Sequence, residues 1–252
     1  MDVGMETKKK EQDDESTALS TKLRQVQAVT GLIIAVFTSA HLVNHFGMHF
    51  GLETHKLLFR KFRRIYTNPI VEMALLVSIF VHSAVAIYKY NGVPKDWSKR
   101  LFQASGAYLL LTMPGHITAT RYFGPLAGMA EYDITYAAMA ARLFPLGFVP
   151  YYAIMAASGA IHMLGGIGKS ASILNIKPLT SVPSRGKRFF TWSAILGACA
   201  VSSAFAVCGI YFRYEMADEV LLRKKHLSLW PRFIVRHLRV PTDNSWFAGI
   251  SL

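Results

Sequence analysis

Acidic side chains are scarce in this chain and cysteines scarcer: 15 Asp and Glu against 28 Lys and Arg, and 2 Cys in 252 residues. Cys199 and Cys208 stand nine residues apart on one apolar stretch, roughly 13 Å along a helix and too far for a disulfide. A disulfide-stapled fold and a CxxC metal site are thereby excluded, and both thiols read as small packing residues. Charged residues are only 17% of the chain and hydrophobic ones 52%, whereas soluble domains carry about 25% charged residues. The formal charge of +13 has no long basic arm behind it. Much of it lies in segments 50–68, 185–188 and 223–239, beside the ends of apolar stretches, where Lys and Arg meet lipid headgroups. No recognition motif accompanies that charge, so membrane lipids are the expected partner and nucleic acid is not.

What the chain does have is length in its apolar runs. Five of them, roughly 28–48, 69–89, 104–123, 150–168 and 189–212, reach the 20 or so helical residues that cross a bilayer core. Hydrocarbon cannot hydrogen-bond a backbone, so an all-α, polytopic membrane protein with five transmembrane helices is expected. A soluble five-helix bundle would need polar stripes at helical spacing, and 189–212 has hardly any. Basic residues number fourteen on each side of such a topology, so charge bias assigns no orientation.

An internal repeat organises these runs. Arg24, Gln27, Thr30-Gly31 and His41 are answered by Arg100, Gln103, Ser105-Gly106 and His116, with ten residues from glycine to histidine in both copies. Each copy continues through a loop and a proline to a second histidine, Pro69 to His82 and Pro150 to His162. The unit is a helical hairpin with one imidazole per helix, used twice (24–90 and 100–168), with a fifth helix at 189–212. Residues 1–23 read as a solvated, disordered tail, acidic and without a presequence pattern, and 213–252 as a basic amphipathic segment on the membrane surface. Thr54 to Tyr66 reads as a short amphipathic helix in the headgroup plane, and Asn68-Pro69 as a capped helix start. Pro114 predicts a kink beside His116.

Ionisable groups at membrane depth are costly and usually functional. His41, His82, His116 and His162 each have a hydroxyl one turn earlier: Thr38, Ser78, Thr112 and Ser158. Such a hydroxyl accepts a ring Nδ1–H and leaves Nε2 for a metal; the alternative is a back-bond to its own helix. Helices one to four carry no cysteine and hardly any carboxylate at these depths, which disfavours zinc and proton relays. Haem b between helices suits best, with interhelical histidine bonds as the alternative. Helix direction pairs His41 with His116 and His82 with His162, on levels roughly 8–12 Å apart. Arg24, Gln27, Arg100 and Gln103 stand at helix mouths, as headgroup anchors or quinone contacts.

The pattern Gln27…Thr30-Gly31…His41-Leu42…Asn44, Arg64…Asn68-Pro69…Glu72…His82, Arg100…Gln103…Gly106…His116 and Pro150-Tyr151-Tyr152…His162…Gly165-Gly166 resembles the mitochondrial Mdm-ten-complementing (MCP-one) transmembrane family over about residues 24–212. That family is similar in organisation to the cytochrome b anchors of succinate:quinone oxidoreductases. The resemblance implies a non-enzymatic mitochondrial outer-membrane protein of lipid homeostasis and contact sites, with a lipid-transfer protein as partner and haem at the four histidines. The fungal recruiting element of the family, a Pro-x-Pro motif ahead of the helices, has no counterpart in residues 1–27. The alternative is a haem- and quinone-binding anchor of complex II in the inner membrane, docked to flavoprotein and iron–sulfur subunits.

Overall fold

A side-chain cap or a proline marks several of the helix starts in the chain's computed structural model, which describes residues 3–123 and 135–211, with side chains from 17 to 121 and 137 to 211. Helix α1 (Val3–Phe46) passes through one 3-10 turn (Gly47–Phe50) into α2 (Leu52–Tyr66), the expected amphipathic helix. Asn68 then caps α3 (Pro69–Tyr88), its Oδ1 accepting the Ile70 N–H at 3.0 Å with Pro69 at the first helical position. Asp96 does the same for α4 (Trp97–Thr118), accepting the Lys99 N–H at 2.9 Å. Helix α4 contains Pro114 and winds out through a π-turn at Ala119–Phe123. A short α5 (Thr135–Leu143) leads into α6 (Pro145–Leu174), which starts five residues before Pro150 and stops where Asn175 turns left-handed at φ 54°. A 3-10 turn at Lys177–Leu179 precedes α7 (Gly186–Val207).

No strand occurs among the described residues, and the fold is all-α as expected. Four described helical stretches are long and apolar enough to cross a membrane: Thr17–Phe50, Pro69–Tyr88, Pro145–Leu174 and Gly186–Val207. Helix α4 is not among them, although five spans were expected. Its 22 residues include Gln103, Tyr108, Pro114 and His116, which dilute the apolar run.

Helix α6 is the hub, packed on α1, α4 and α7, while α1 also carries α3 and touches α7. The small residues of α6 permit this. A Cβ on Gly165 would meet the rings of Phe102 and Phe189, and one on Gly168 would meet the Val182 carbonyl. Large apolar side chains point away from the bundle: Val36, Phe80 and Leu111 are 73%, 74% and 80% exposed, a surface that suits lipid and not water. A compact apolar plug at one end joins Met48, Ala138 and Met139 to Ala206 and Val207.

One expectation fails at the N-terminus. Helix α1 begins at Val3, where residues 1–23 were expected to be disordered. Between Met5 and Thr30 the chain has no glycine or proline, and Lys, Glu and Gln are good helix formers. A helix already nucleated in its apolar half gains a hydrogen bond with each residue added. The amphipathic tail expected over 213–252 lies outside the described residues.

Candidate functional site

The four mid-helix histidines meet inside the bundle as two pairs. His82 from α3 faces His162 from α6, ring centroids 6.2 Å apart and planes at 90°. His41 from α1 faces His116 from α4 at 6.1 Å and 75°. The pairing is the one that helix direction suggested. Along α1, the His82 ring lies against Gly31, ten residues before His41. At 1.5 Å per residue the two pairs are then about 15 Å apart along the bundle, more than the 8–12 Å expected from helix centres.

The His82–His162 pair is held by a device present in both repeats. His82 Nδ1 lies 3.1 Å from the Gln27 carbonyl and His162 Nδ1 lies 3.2 Å from the Phe102 carbonyl. A carbonyl only accepts, so Nδ1 carries the proton in both rings and Nε2 is left as the free lone pair. Four residues beyond each carbonyl stands a glycine, Gly31 or Gly106, and its bare Cα lets the ring approach. A Cβ there would sit 3.1 Å from His82 Cε1, or 2.6 Å from His162 Cε1. The residue before each glycine donates its hydroxyl to the same carbonyl, Thr30 to Gln27 at 3.2 Å and Ser105 to Phe102 at 2.8 Å. The repeated hydroxyl–glycine pair is therefore a socket for the imidazole of a neighbouring helix.

This corrects the expected hydroxyl partners. For His82 and His162 the Nδ1 proton goes to a neighbouring helix, not to Ser78 or Ser158, which are buried near them on their own helices. Thr112 bonds back to the Tyr108 carbonyl at 2.8 Å. Thr38 packs by its methyl towards Gly159. A hydroxyl one turn back on the same helix finds its own carbonyl ladder closer than the ring.

The second pair is built differently. His41 stacks on Phe37 with centroids 5.6 Å apart, and its Nε2 lies 3.1 Å from Nε2 of His45. His45 in turn stacks with the fully buried His55 of α2 at 5.8 Å. His45 and His55 were missed in the sequence, although His45 follows His41 by four residues and so had to share its face. Phe37 also meets Tyr66 edge-on. Burial raises the Tyr66 phenol above its ordinary value, against the opposing pull of Arg63 and Arg121. Arg121 forms a forked ion pair with Glu72, tying the end of α4 to the start of α3.

The mouth residues mostly serve the fold. Arg100 bonds the Pro94 carbonyl and covers the Trp97 ring, and the Gln103 amide reaches the Gly92 carbonyl at 3.3 Å. Together they brace the turn before α4. Gln27 contributes its main chain to His82, and Arg24 is exposed. Among the described residues no three His, Cys, Asp or Glu side chains converge as a metal site. No family model, curated protein or solved structure matches this chain.

Proposed function

We propose that the protein is a membrane-embedded b-type haem protein with two bis-histidine sites, His82–His162 and His41–His116. The observation that carries this is the ring spacing of both pairs, with the tautomer fixed at His82–His162. Two imidazoles bound through Nε2 to one metal at about 2.0 Å each have centroids about 6 Å apart, which both pairs match. At His82–His162 zinc would need two further protein ligands, whereas a haem would bring its four pyrrole nitrogens and would need from the chain only the two imidazoles.

The chain's residues perform three tasks at such a site. The Gln27 and Phe102 carbonyls orient the imidazoles and raise their basicity as ligands. Glycines at 31 and 106 make room for the rings. Apolar helices keep water from the pair. When bound, haem supplies a one-electron couple at each level. Helix α4 completes the bundle as a fifth span: 22 residues reach about 33 Å, and Leu110 and Leu111 face outward.

The setting follows from the family resemblance: the mitochondrial outer membrane, in lipid homeostasis and contact sites, without catalysis by this chain and with a lipid-transfer protein as partner. A second reading is favoured by the stacking of the two pairs on separate levels, which suits electron passage across a bilayer. In it the chain is the haem and quinone-binding anchor of a complex II enzyme. Reduced-minus-oxidised absorption of the detergent-purified protein tests the haem reading; a colourless protein after supply of excess haem rejects it. Protease access on intact mitochondria supports the outer-membrane setting, and co-purification with flavoprotein and iron–sulfur subunits supports the anchor.

A further inference from the structure

Lys169 stands seven residues beyond His162 on α6, so two turns place it on the same face, about 10 Å towards the end of the helix. Its Nζ lies 3.4 Å from the centroid of the Phe102 ring. That ring is itself stacked on His162, centroids 4.4 Å apart and planes within 16°, and the Phe102 carbonyl holds the His162 Nδ1 proton. The lysine is only partly exposed. Among the described residues the ion pairs are Lys56 with Glu53 and Arg121 with Glu72, and Lys169 belongs to neither. Helices α4, α6 and α7 contain no Asp or Glu at all. Lys99 adds a second positive charge close enough to act on Lys169. Asp96, the cap of α4, stands beside Lys99 and offsets its charge, whereas Lys169 near the better-organised histidine pair has no ion-pair partner among the described residues. A partly desolvated cation in that position calls for an anionic oxygen.

We propose that Lys169 binds a carboxylate arm of the tetrapyrrole held by His82 and His162, fixing which edge of the ring faces the membrane surface. The inference rests on the haem reading and adds to it a polar anchor beyond the axial ligands. A lipid phosphate is the other source of an anionic oxygen at this mouth. Plain snorkelling of Lys169 along Phe102 would need neither.

The test uses the full chain in detergent on a His41→Ala background, which leaves one pair to load. Haem and haem dimethyl ester, whose arms carry no charge, are titrated separately and followed by absorption. The expected result is about tenfold tighter binding of haem than of its diester, the size of one charge-assisted hydrogen bond. Lys169→Met should bring the two ligands to equal affinity, and Lys169→Arg should keep the preference. A preference that survives in Lys169→Met overturns the inference, as does a parent that binds both ligands alike. In the second case, affinity that rises in vesicles of phosphatidylglycerol over phosphatidylcholine, and does so only with Lys169 intact, assigns the lysine to lipid phosphate instead. If neither ligand binds the parent or the unmutated chain, the haem reading itself fails and takes this inference with it. Unchanged helical circular dichroism and gel-filtration profile exclude misfolding as the cause of any loss.

Discussion

Gly31 and Gly106 occupy equivalent places in the two repeats, yet their tolerance for a methyl group differs. A Cβ at 106 would lie 2.6 and 2.9 Å from two atoms of the His162 ring, and one at 31 would lie 3.1 and 3.4 Å from the same atoms of His82. Gly106→Ala must therefore push His162 off the Phe102 carbonyl, whereas Gly31→Ala asks for a few tenths of an ångström. Overpacking of this sort costs about 1–3 kcal/mol. Gly106→Ala should lose haem from the His82–His162 site and lower thermal stability; Gly31→Ala should do the same more mildly. Gly166→Ala, with open space around the new methyl, should be neutral or slightly stabilising. Melting of the three purified variants, read beside their haem absorption, checks the order. The sequence displayed these glycines as repeat markers but not their purpose. Every residue has a carbonyl, so nothing in the residue types distinguished Gln27 and Phe102 as acceptors.

At the scale of elements, the start of α3 was the most legible feature, because its cap and proline act within four residues. Asn68-Pro69 opens α3 as expected, and the basic, apolar run before it is the amphipathic α2. Other starts were less so: α1 runs far ahead of Gln27, and α6 opens at Pro145 before Pro150. The cap of α4 yields a pH prediction. The Ser98 hydroxyl and the Lys99 N–H hold the exposed Asp96 carboxyl below its ordinary value. A depressed carboxyl contributes stability that is complete above the unfolded value and is lost only as pH falls through the lower folded one. Wild type should keep its advantage over Asp96→Ala down to the range of ordinary aspartates, about pH 4, and lose it in stronger acid. Asp96→Ser, an uncharged cap, should keep a constant advantage over Asp96→Ala through that range. Glu72 and Arg121 join two elements in place of capping one. With side chains 24% and 37% exposed, the pair lies between surface and buried cases. Glu72→Gln should cost about 1 kcal/mol, discounted for solvent screening, and should loosen the end of α4, seen as faster proteolysis near the π-turn.

Across the whole molecule, the two pairs differ in how far the chain prepares them. His82 and His162 have fixed tautomers, oriented rings and a cation at their mouth. His41 shares its Nε2 with His45, and an incoming metal must displace that contact. Haem should therefore load in sequence, first at His82–His162 and then, more weakly, at His41–His116. Such an order was not legible in the sequence, where all four histidines look alike apart from His45 beside one of them; it arises from contacts between helices far apart in the chain. His82→Ala and His162→Ala should each remove the tighter site alone, and the double variant should lose no more than either single one, since an axial pair acts as a unit. His41→Ala and His116→Ala should remove the weaker site in the same way. The ring planes cross at 90° and 75°, and imidazoles held at such angles would leave the dxz and dyz orbitals of a low-spin ferric haem, which share three electrons, nearly equal in energy. Oxidised protein should then give strongly anisotropic low-spin signals in electron paramagnetic resonance, one for each pair. Haem titration of wild type should show a tight step and then a weak one, each signal growing with its own step and vanishing in its own pair of variants. A single step, or a signal that outlives the loss of one partner histidine, would mean that these imidazoles do not bind as pairs.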